Sequence, residues 1–359
     1  MITILYPYRN RELERVKRSL DSLAQQTNRD FKVVFVDYGS ALATALEIET
    51  VLKEYDFVNY IYSYHCHQPW SRAKAINIGL RQVVTPYVFV ADVDMLFRND
   101  FVETITVLRN PKHAVFFKVG FLDQKESVQF KFFEAYKISF VSQVGAKGLS
   151  LFPIDALNEI VGFDEFFHFW GAEDEDVHGR LEQAGYESIF YEHEVLMLHQ
   201  WHESYRASER KTLTTDLQLT QISRLNQQHL LQNKERNADG IAAAFWGKTI
   251  TKEEYEIIAN HSVVIVIGNQ KDKVDHFLYA ELPCAKSKII NVVFQKDPFQ
   301  SSWKYWVKKR LGKTVPNYYP LKTINDLVLL HLTSFYRNNN YSYIISEDLK
   351  TIQLKIRFN

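Results

Sequence analysis

Three apolar runs of strand length each end in a loop crowded with polar side chains, and this repetition limits the fold more than any other feature of the chain. Ile2-Thr3-Ile4-Leu5-Tyr6 leads into Pro7-Tyr8-Arg9-Asn10-Arg11, residues 31–36 into Asp37-Tyr38-Gly39-Ser40, and Tyr87-Val88-Phe89-Val90-Ala91 into Asp92-Val93-Asp94. Between the first two, Leu13, Val16, Leu20 and Leu23 recur at helical spacing. A helix is predicted over about residues 41–54, a strand at Val58-Asn59-Tyr60-Ile61-Tyr62 and a further helix over 72–83. Strands alternating with helices predict a mostly parallel sheet with right-handed crossovers. Such sheets collect ligands beyond the carboxyl ends of their strands, so the three loops are expected to share one cleft.

Composition narrows the classes. At 359 residues, two domains are expected rather than one. Lys and Arg total 43, as do Asp and Glu, so no global field favours nucleic acid. The only cysteines, Cys66 and Cys284, are far apart, which argues against a disulfide framework and for a reducing compartment. The first apolar run is too short for a signal peptide, and no apolar segment approaches the roughly 20 residues that span a bilayer. The expectation is a soluble or peripheral protein of the cytoplasm.

The loops carry the chemistry. Arg9 and Arg11 begin a helix, where the dipole disfavours cations, and make sense if an anion such as phosphate joins them. Asp37 either caps its turn or meets the ligand. Farther on, an aromatic turn ends in Trp170-Gly171-Ala172-Glu173-Asp174-Glu175-Asp176, after which Val177, Leu181 and Ala184 continue as a helix stopped by Gly185. An acidic helix start explains one or two of these carboxylates but not four. A general base beside an aromatic platform for a sugar ring explains more. The strand Val195-Leu196-Met197-Leu198-His199-Gln200-Trp201-His202 ends in histidines. His199 is the expected nitrogen ligand for Mn²⁺ (or Mg²⁺), which accepts mixed donors, with His202 in reserve. His65-Cys66-His67 is read as structural.

These motifs resemble the GT-A glycosyltransferases over residues 1 to about 205, as a family 2 nucleotide-binding half joined to a β-1,4-galactosyltransferase-like acceptor half. Bacterial capsule, lipopolysaccharide and chondroitin-polymerase-type transferases are similar. Pro7-Tyr8-Arg9-Asn10-Arg11 is similar to the family's Pro-Phe-Arg-Asn-Arg, whose arginines face the nucleotide diphosphate. Asp37 sits where the family carries an aspartate that reads uracil. Arg72-Ala73-Lys74-Ala75-Ile76-Asn77-Ile78-Gly79 resembles the Arg-Ala-x-x-x-Asn-x-Gly helix bordering the donor. Asp92-Val93-Asp94 matches the metal-binding Asp-Val-Asp, with Asp94 the implied direct ligand. Trp170 to Asp176 resembles Trp-Gly-Gly-Glu-Asp-Asp-Asp, which assigns the base to Asp174; Ala172 and Glu175 depart from that pattern.

The resemblance thus implies a donor site of Pro7, Tyr8, Arg9, Arg11, Asp37, Arg72, Lys74, Asn77, Asp92 and Val93. Acceptor contacts would come from Trp170, Gly171, Glu173 and Asp176, with Asp94 and His199 on the metal and the loop holding Gly145 and Gly148 closing over the donor. It implies inverting transfer of a sugar, galactose or N-acetylgalactosamine favoured, from a UDP-sugar to a saccharide or lipid-linked saccharide, in bacterial surface polysaccharide synthesis. Two other classes compete: an inactive sugar-binding protein on this fold, and a different enzyme on the same frame, either a sugar-nucleotide hydrolase or a nucleotidylyltransferase, whose glycine-rich phosphate loop is missing from residues 7–11.

The expected organisation is α/β: a GT-A, Rossmann-like domain at 1–205, a helical connector at 206–240 and a smaller α/β module at 241–359. The connector is read from Leu213, Leu217, Ile222, Leu225 and Leu230, its end from Asn237-Ala238-Asp239-Gly240. In the module, strands are expected at residues 262–268, 289–294 and 341–345. Trp303-Lys304-Tyr305-Trp306-Val307-Lys308-Lys309-Arg310 mixes aromatics with cations, which suits either peripheral contact with the inner face of a membrane or an ordinary helix packed by a tryptophan.

Overall fold

The strand β1 (Ile2–Tyr8) is buried along its whole length because it is paired in parallel on both sides, with β2 (Phe31–Asp37) and β4 (Tyr87–Val90). That explains why its sequence is continuously apolar rather than alternating. The computed structural model describes residues 1–203, 209–235 and 246–358. In chain order β3 (Val58–Tyr62), β6 (His113–Phe117), β9 (Ser150–Pro153) and β10 (Glu187–Tyr191) complete a seven-stranded sheet of order β10-β6-β9-β4-β1-β2-β3. All neighbours are parallel except at β9, which runs antiparallel to both β4 and β6. A second sheet, β5-β11-β7-β8, is built from the short strands β5 (Met95–Phe97), β7 (Gly120–Phe121), β8 (Phe140–Val141) and β11 (Met197–His199).

Helices α1 (Leu13–Ala24), α2 (Leu42–Leu52), α3 (Arg72–Leu80), α4 (Phe101–Val107), α5 (Gln124–Ser127), α6 (Ile154–Glu159) and α7 (Glu173–Gln183) follow the strands. The periodic residues of α1, Val16, Leu20 and Leu23, are buried in one cluster with Ile4, Phe35 and Phe89. Helix α3 starts where the Ser71 side chain accepts the Lys74 N–H at 3.2 Å, and it is buried from Ala73 to Leu80. It lies so close to β1 that a Cβ on Gly79 would sit 2.6 Å from Leu5 Cδ1, which explains the glycine. The α/β alternation expected from the sequence is present; the second sheet is not an element the sequence reading contained.

The chain separates into two compact units, one of residues 1–63, 70–207 and 223–249, the other of 64–69, 208–222 and 250–359. The connector expected at 206–240 is divided between the units: residues 209–222 cluster with the second and 223–235 with the first. The boundary at Asn237-Ala238-Asp239-Gly240 lies outside the described residues. The helix there begins only at Ile222 and ends at Glu235. Leu213 and Leu217 precede it in irregular chain, where Thr214 Oγ1 bonds the Asp216 carbonyl at 2.9 Å and Gln218 Oε1 takes the Arg210 N–H at 2.8 Å. Side chains such as those of Thr214 and Gln218 that satisfy nearby backbone compete with helix, and they win here.

In the second unit, strands Ile265–Gly268, Ile289–Gln295, Thr351–Arg357 and Tyr341–Ile345 form one sheet in that order. Its strand Thr351–Arg357 and the helices Lys252–Ala259 and Leu321–Phe335 were not read from the sequence. No helix among the described residues is long and apolar enough to cross a membrane.

One buried contact ties the first unit to pH. His178, fully buried in α7, has Nε2 2.9 Å from Ser150 Oγ in β9 and Nδ1 2.9 Å from Ser188 Oγ in β10. Burial, with a smaller push from Lys147, lowers its pKa from the ordinary 6.5 to about 3. Between those values the unfolded chain binds a proton that the folded chain refuses, so stability falls as pH drops below about 6.5. From about pH 7.5 to 5.5, urea unfolding is expected to show the wild type losing about 1.4 kcal/mol more than His178→Asn. Equal losses would show that the buried imidazole does not control acid stability.

Candidate active site

The small sheet is what brings the acidic triplet to the histidines. Strand β5 starts immediately after Asp94 and pairs antiparallel with β11, placing Met95 opposite His199. The ladder continues past the strand end, with the Gln200 N–H donating to the Asp94 carbonyl at 3.1 Å. Asp94 Oδ1 then lies 3.6 Å from His199 Nε2, and Asp94 Oδ2 lies 3.4 Å from His202 Nε2. These distances are too long for good hydrogen bonds. They suit donors that share an ion: atoms about 2.1 Å from one cation and roughly 90–120° apart lie about 3.0–3.6 Å from each other.

Two further observations fit the residues to a divalent cation. Asp94 Oδ1 is buried and has no hydrogen-bond partner, which is costly without a counterion. Burial lowers the His202 pKa, against the pull of Asp94, and so favours the neutral imidazole that coordinates metals. Asp94, His199 and His202 are the one group of three such donors among the described residues close enough to hold an ion, and His65-Cys66-His67 belongs to none.

Around this group the first-half motifs sort into two kinds. Arg9 is half-buried with its guanidinium carbon 5.8 Å from the Tyr38 ring centre, and the exposed Arg11 lies within electrostatic reach of Asp92 and His202. Pro7, Tyr8 and Val93 are buried and shape the floor, with the Tyr8 hydroxyl donating to the Arg11 carbonyl at 3.0 Å. The loops after β1 and β2 are laced together. Asn10 N–H donates to Ser40 Oγ at 2.8 Å, and Ala41 N–H donates to Asn10 Oδ1 at 2.9 Å. Asp37 belongs to that lacing. Fully buried, its Oδ1 accepts from Ser40 N–H at 2.8 Å and its Oδ2 from Tyr60 hydroxyl at 3.1 Å, while burial raises its pKa. These bonds make Asp37 part of what sets the loop shape.

Asn77 is buried, its amide donates to Phe163 O at 2.8 Å and Glu165 Oε1 at 3.1 Å, and its Oδ1 accepts from Phe163 N–H at 2.9 Å. It pins the loop before the tryptophan to α3. Lys74 is buried within α3.

Arg72 joins the two halves. Its Nε donates to Asp92 Oδ1 at 2.9 Å and an Nη donates to the Gly148 carbonyl at 2.8 Å, while the other Nη stands 3.7 Å from Glu173 Oε1. Burial works against the guanidinium charge, but Asp92, Glu173 and Asp174 outweigh it and raise its pKa. Burial would likewise raise the Asp92 carboxyl, yet Arg72, followed by His199, leaves it below the usual value.

The four carboxylates opening α7 have four different surroundings. Glu173 faces Arg72, Glu175 pairs with Lys234 at 2.8 Å, and Asp176 is bound by Arg180 at 2.7 Å and by the Asn233 amide at 2.8 Å. Asp176 is only 2% exposed with both oxygens engaged, which holds the helix in place. Asp174 alone of the four has no side-chain partner among the described residues; its Oδ1 takes the Glu175 N–H at 2.9 Å. Its other oxygen lies beside Gly148, where a Cβ would come within 3.4 Å. Burial raises the pKa of Asp174 and lifts Glu173 to about 7, the latter with a further push from Asp174. Trp170 precedes them, 41% exposed, with Gly171 next to it in a left-handed conformation.

Sequence reasoning missed several supports. Asp164, held at a pKa of about 2 despite burial, accepts from His229 at 2.7 Å and from Asn233 at 3.1 Å. The Asp176–Arg180 pair was legible as an i,i+4 spacing; the partners from the helix Ile222–Glu235 had no local signal.

Residues 3–124 match the family described as glycosyl transferase family 2, and residues 130–203 match that described as the N-terminal domain of galactosyltransferase. No curated protein matches the chain significantly. Among solved structures, a mannosyltransferase from Pyrobaculum calidifontis in complex with GDP-Man and Mn²⁺ is 20% identical with a TM-score of 0.41, over 55% of this chain and 56% of that one. TarS of S. aureus is 15% identical with a TM-score of 0.43, over 56% and 36%. The chain thus spans about half or less of each.

Two predictions follow from the geometry. In an isothermal titration with Mn²⁺, Asp94→Ala is expected to abolish binding, and His199→Ala and His202→Ala each to weaken it by about tenfold, or about 1.4 kcal/mol. Unchanged affinity in either histidine variant would leave that residue off the ion. Arg72→Met strands three carboxylates and is expected to cost about 3–5 kcal/mol in chemical denaturation; a cost under about 1 kcal/mol would mean the cluster does not depend on it.

Proposed function

We propose that this chain, in which residues 3–124 match glycosyl transferase family 2 and residues 130–203 match the N-terminal domain of galactosyltransferase, is a glycosyltransferase that moves a sugar from a UDP-sugar to a saccharide hydroxyl with inversion. The observation that carries this reading is Arg72, whose one guanidinium reaches both Asp92, two residues from the metal-type aspartate, and Glu173, adjacent to Asp174. Donor-side and acceptor-side groups are thereby held around one point.

Asp94, His199 and His202 would hold a divalent cation, Mn²⁺ by its tolerance of mixed imidazole and carboxylate donors. When bound, such an ion supplies Lewis-acid stabilisation to the departing diphosphate. Arg11 and Arg9 add positive charge on the same side. Asp174, left without a side-chain partner and with its pKa raised by burial, accepts the proton of the acceptor hydroxyl. As that proton leaves, the hydroxyl oxygen bonds to the anomeric carbon. The bond from this carbon to the phosphate oxygen breaks, and its electron pair stays on the nucleoside diphosphate. Trp170 offers an exposed indole face for the acceptor ring, with Gly171 and Glu173 beside it.

Uridine in the donor rests on the likeness of the loop at residues 36–40 to the family 2 pattern. Galactose or N-acetylgalactosamine is favoured by the match of residues 130–203. A saccharide or lipid-linked saccharide of a bacterial surface polysaccharide is the acceptor class that the resemblance supports.

The test is UDP release across a panel of UDP-sugars and saccharide acceptors, with and without Mn²⁺. Metal-dependent turnover is expected with one donor, and Asp174→Asn is expected to lower it by about 10²–10⁴-fold while UDP affinity stays unchanged. Wild-type turnover in Asp174→Asn would remove the residue from the role of base.

A further inference from the structure

The helix Trp303–Arg310 of the second unit is built inside out. It starts cleanly, with the Ser302 side chain accepting the Tyr305 N–H at 3.2 Å, yet Tyr305 is its only buried residue. Tyr305 packs edge-on against Phe299 and Tyr318, with ring centres 5.8 and 5.7 Å away. The larger indoles are left outside, Trp303 70% and Trp306 61% exposed, followed by Leu311 at 65%. At about 100° per residue, Trp303, Trp306, Val307 and Leu311 share the face turned away from Tyr305. The alternative of an ordinary helix anchored by an inward tryptophan is therefore not the arrangement found.

The stretch of sequence that carries this apolar face has charge of a single sign. Between Asp297 and Asp326 the chain has no acidic residue, while it carries Lys304, Lys308, Lys309, Arg310, Lys313 and Lys322. The whole chain is neutral, so the patch is a local concentration and not a share of a general excess. Exposed indoles ringed by long cationic side chains suit the headgroup layer of a bilayer, where the rings sit at the interface and the ammonium groups reach lipid phosphates. A second copy of the chain would bring the same cations face to face, so the patch is not self-complementary.

We propose that this helix docks the protein on an anionic phospholipid surface, Trp303, Trp306, Val307 and Leu311 entering the interface while Lys304, Lys308, Lys309 and Arg310 meet the phosphates. The proposal stands apart from the transferase reading, because vesicle binding is read without turnover.

Flotation of the full chain with vesicles tests it. Binding to phosphatidylcholine vesicles containing phosphatidylglycerol is expected, at least about tenfold stronger than to phosphatidylcholine alone and weakened by salt. Trp303→Ser with Trp306→Ser, and separately Lys308→Glu with Lys309→Glu and Arg310→Glu, are each expected to reduce it about tenfold or more. All five side chains are exposed, so circular dichroism should show unchanged melting. No vesicle binding, equal binding to both lipids, or binding that survives either set of substitutions would overturn the proposal. So would tight capture of a single-stranded oligonucleotide with no capture of vesicles, or a dimer in sedimentation that the tryptophan substitutions dissolve.

Discussion

The arrangement of the candidate site depends on one buried cation. Asp92, Glu173 and Asp174 come from the end of a central strand and the start of a distant helix, and without a positive charge between them they would repel. Arg72 supplies that charge from the first turn of α3, where the dipole disfavours a cation. Its planar fork also reaches the Gly148 carbonyl, so the glycine-bearing loop is held by the group that balances the acids. The loop, the acidic triplet and the candidate base therefore share one electrostatic anchor. A lysine would bring the charge but not three separately directed contacts.

The second constraint is topological. A parallel sheet delivers Asp92 and Asp94 to its edge, but no parallel neighbour of β4 provides a histidine. The antiparallel pairing of β5 with β11 does, returning the chain from about a hundred residues later to lie beside Asp94. Both His199 and His202 reach the same carboxylate because the chain turns immediately after Gln200, whose amide also donates to the Asp94 carbonyl at 3.2 Å. The choice between these histidines that spacing left open is one that the fold does not make; it presents the two together.

Much of this was legible because it is local. The periodic apolar face of α1, the unbroken β1 and β2 and the acidic triplet at the end of β4 are short-range patterns, and the elements follow them. What was not legible is how each polar residue is held. Asp37, Asn77 and Asp176 stand within motifs that suggest ligand contact, and in the fold their polar atoms also bond Ser40, Phe163 and Arg180. Burial and partners decide such roles, and both are tertiary. The two-residue strands of the small sheet carry too few side chains for a periodic signal, and the helix Leu321–Phe335 was hidden in a segment read only for strands.

The turn before α7 shows how sequence and geometry disagree in an informative way. Phe169, Gly171 and Ala172 all adopt positive φ, at 63°, 95° and 78°. Glycine accepts this without penalty, but the two side-chain-bearing residues cost about 1–2 kcal/mol each. The family pattern has glycine at the position of Ala172, so this chain keeps the shape while carrying a residue that opposes it. The strain is offset nearby. Phe169 N–H donates to the Trp70 carbonyl at 2.7 Å, and the Asn226 amide donates to the His168 and Trp170 carbonyls at 3.0 Å each. These bonds fix the backbone on both sides of Trp170 and leave its indole facing out directly ahead of Glu173 and Asp174. The strained backbone thus lies where the aromatic face and the carboxylates are presented together, a place where strain is often kept for function.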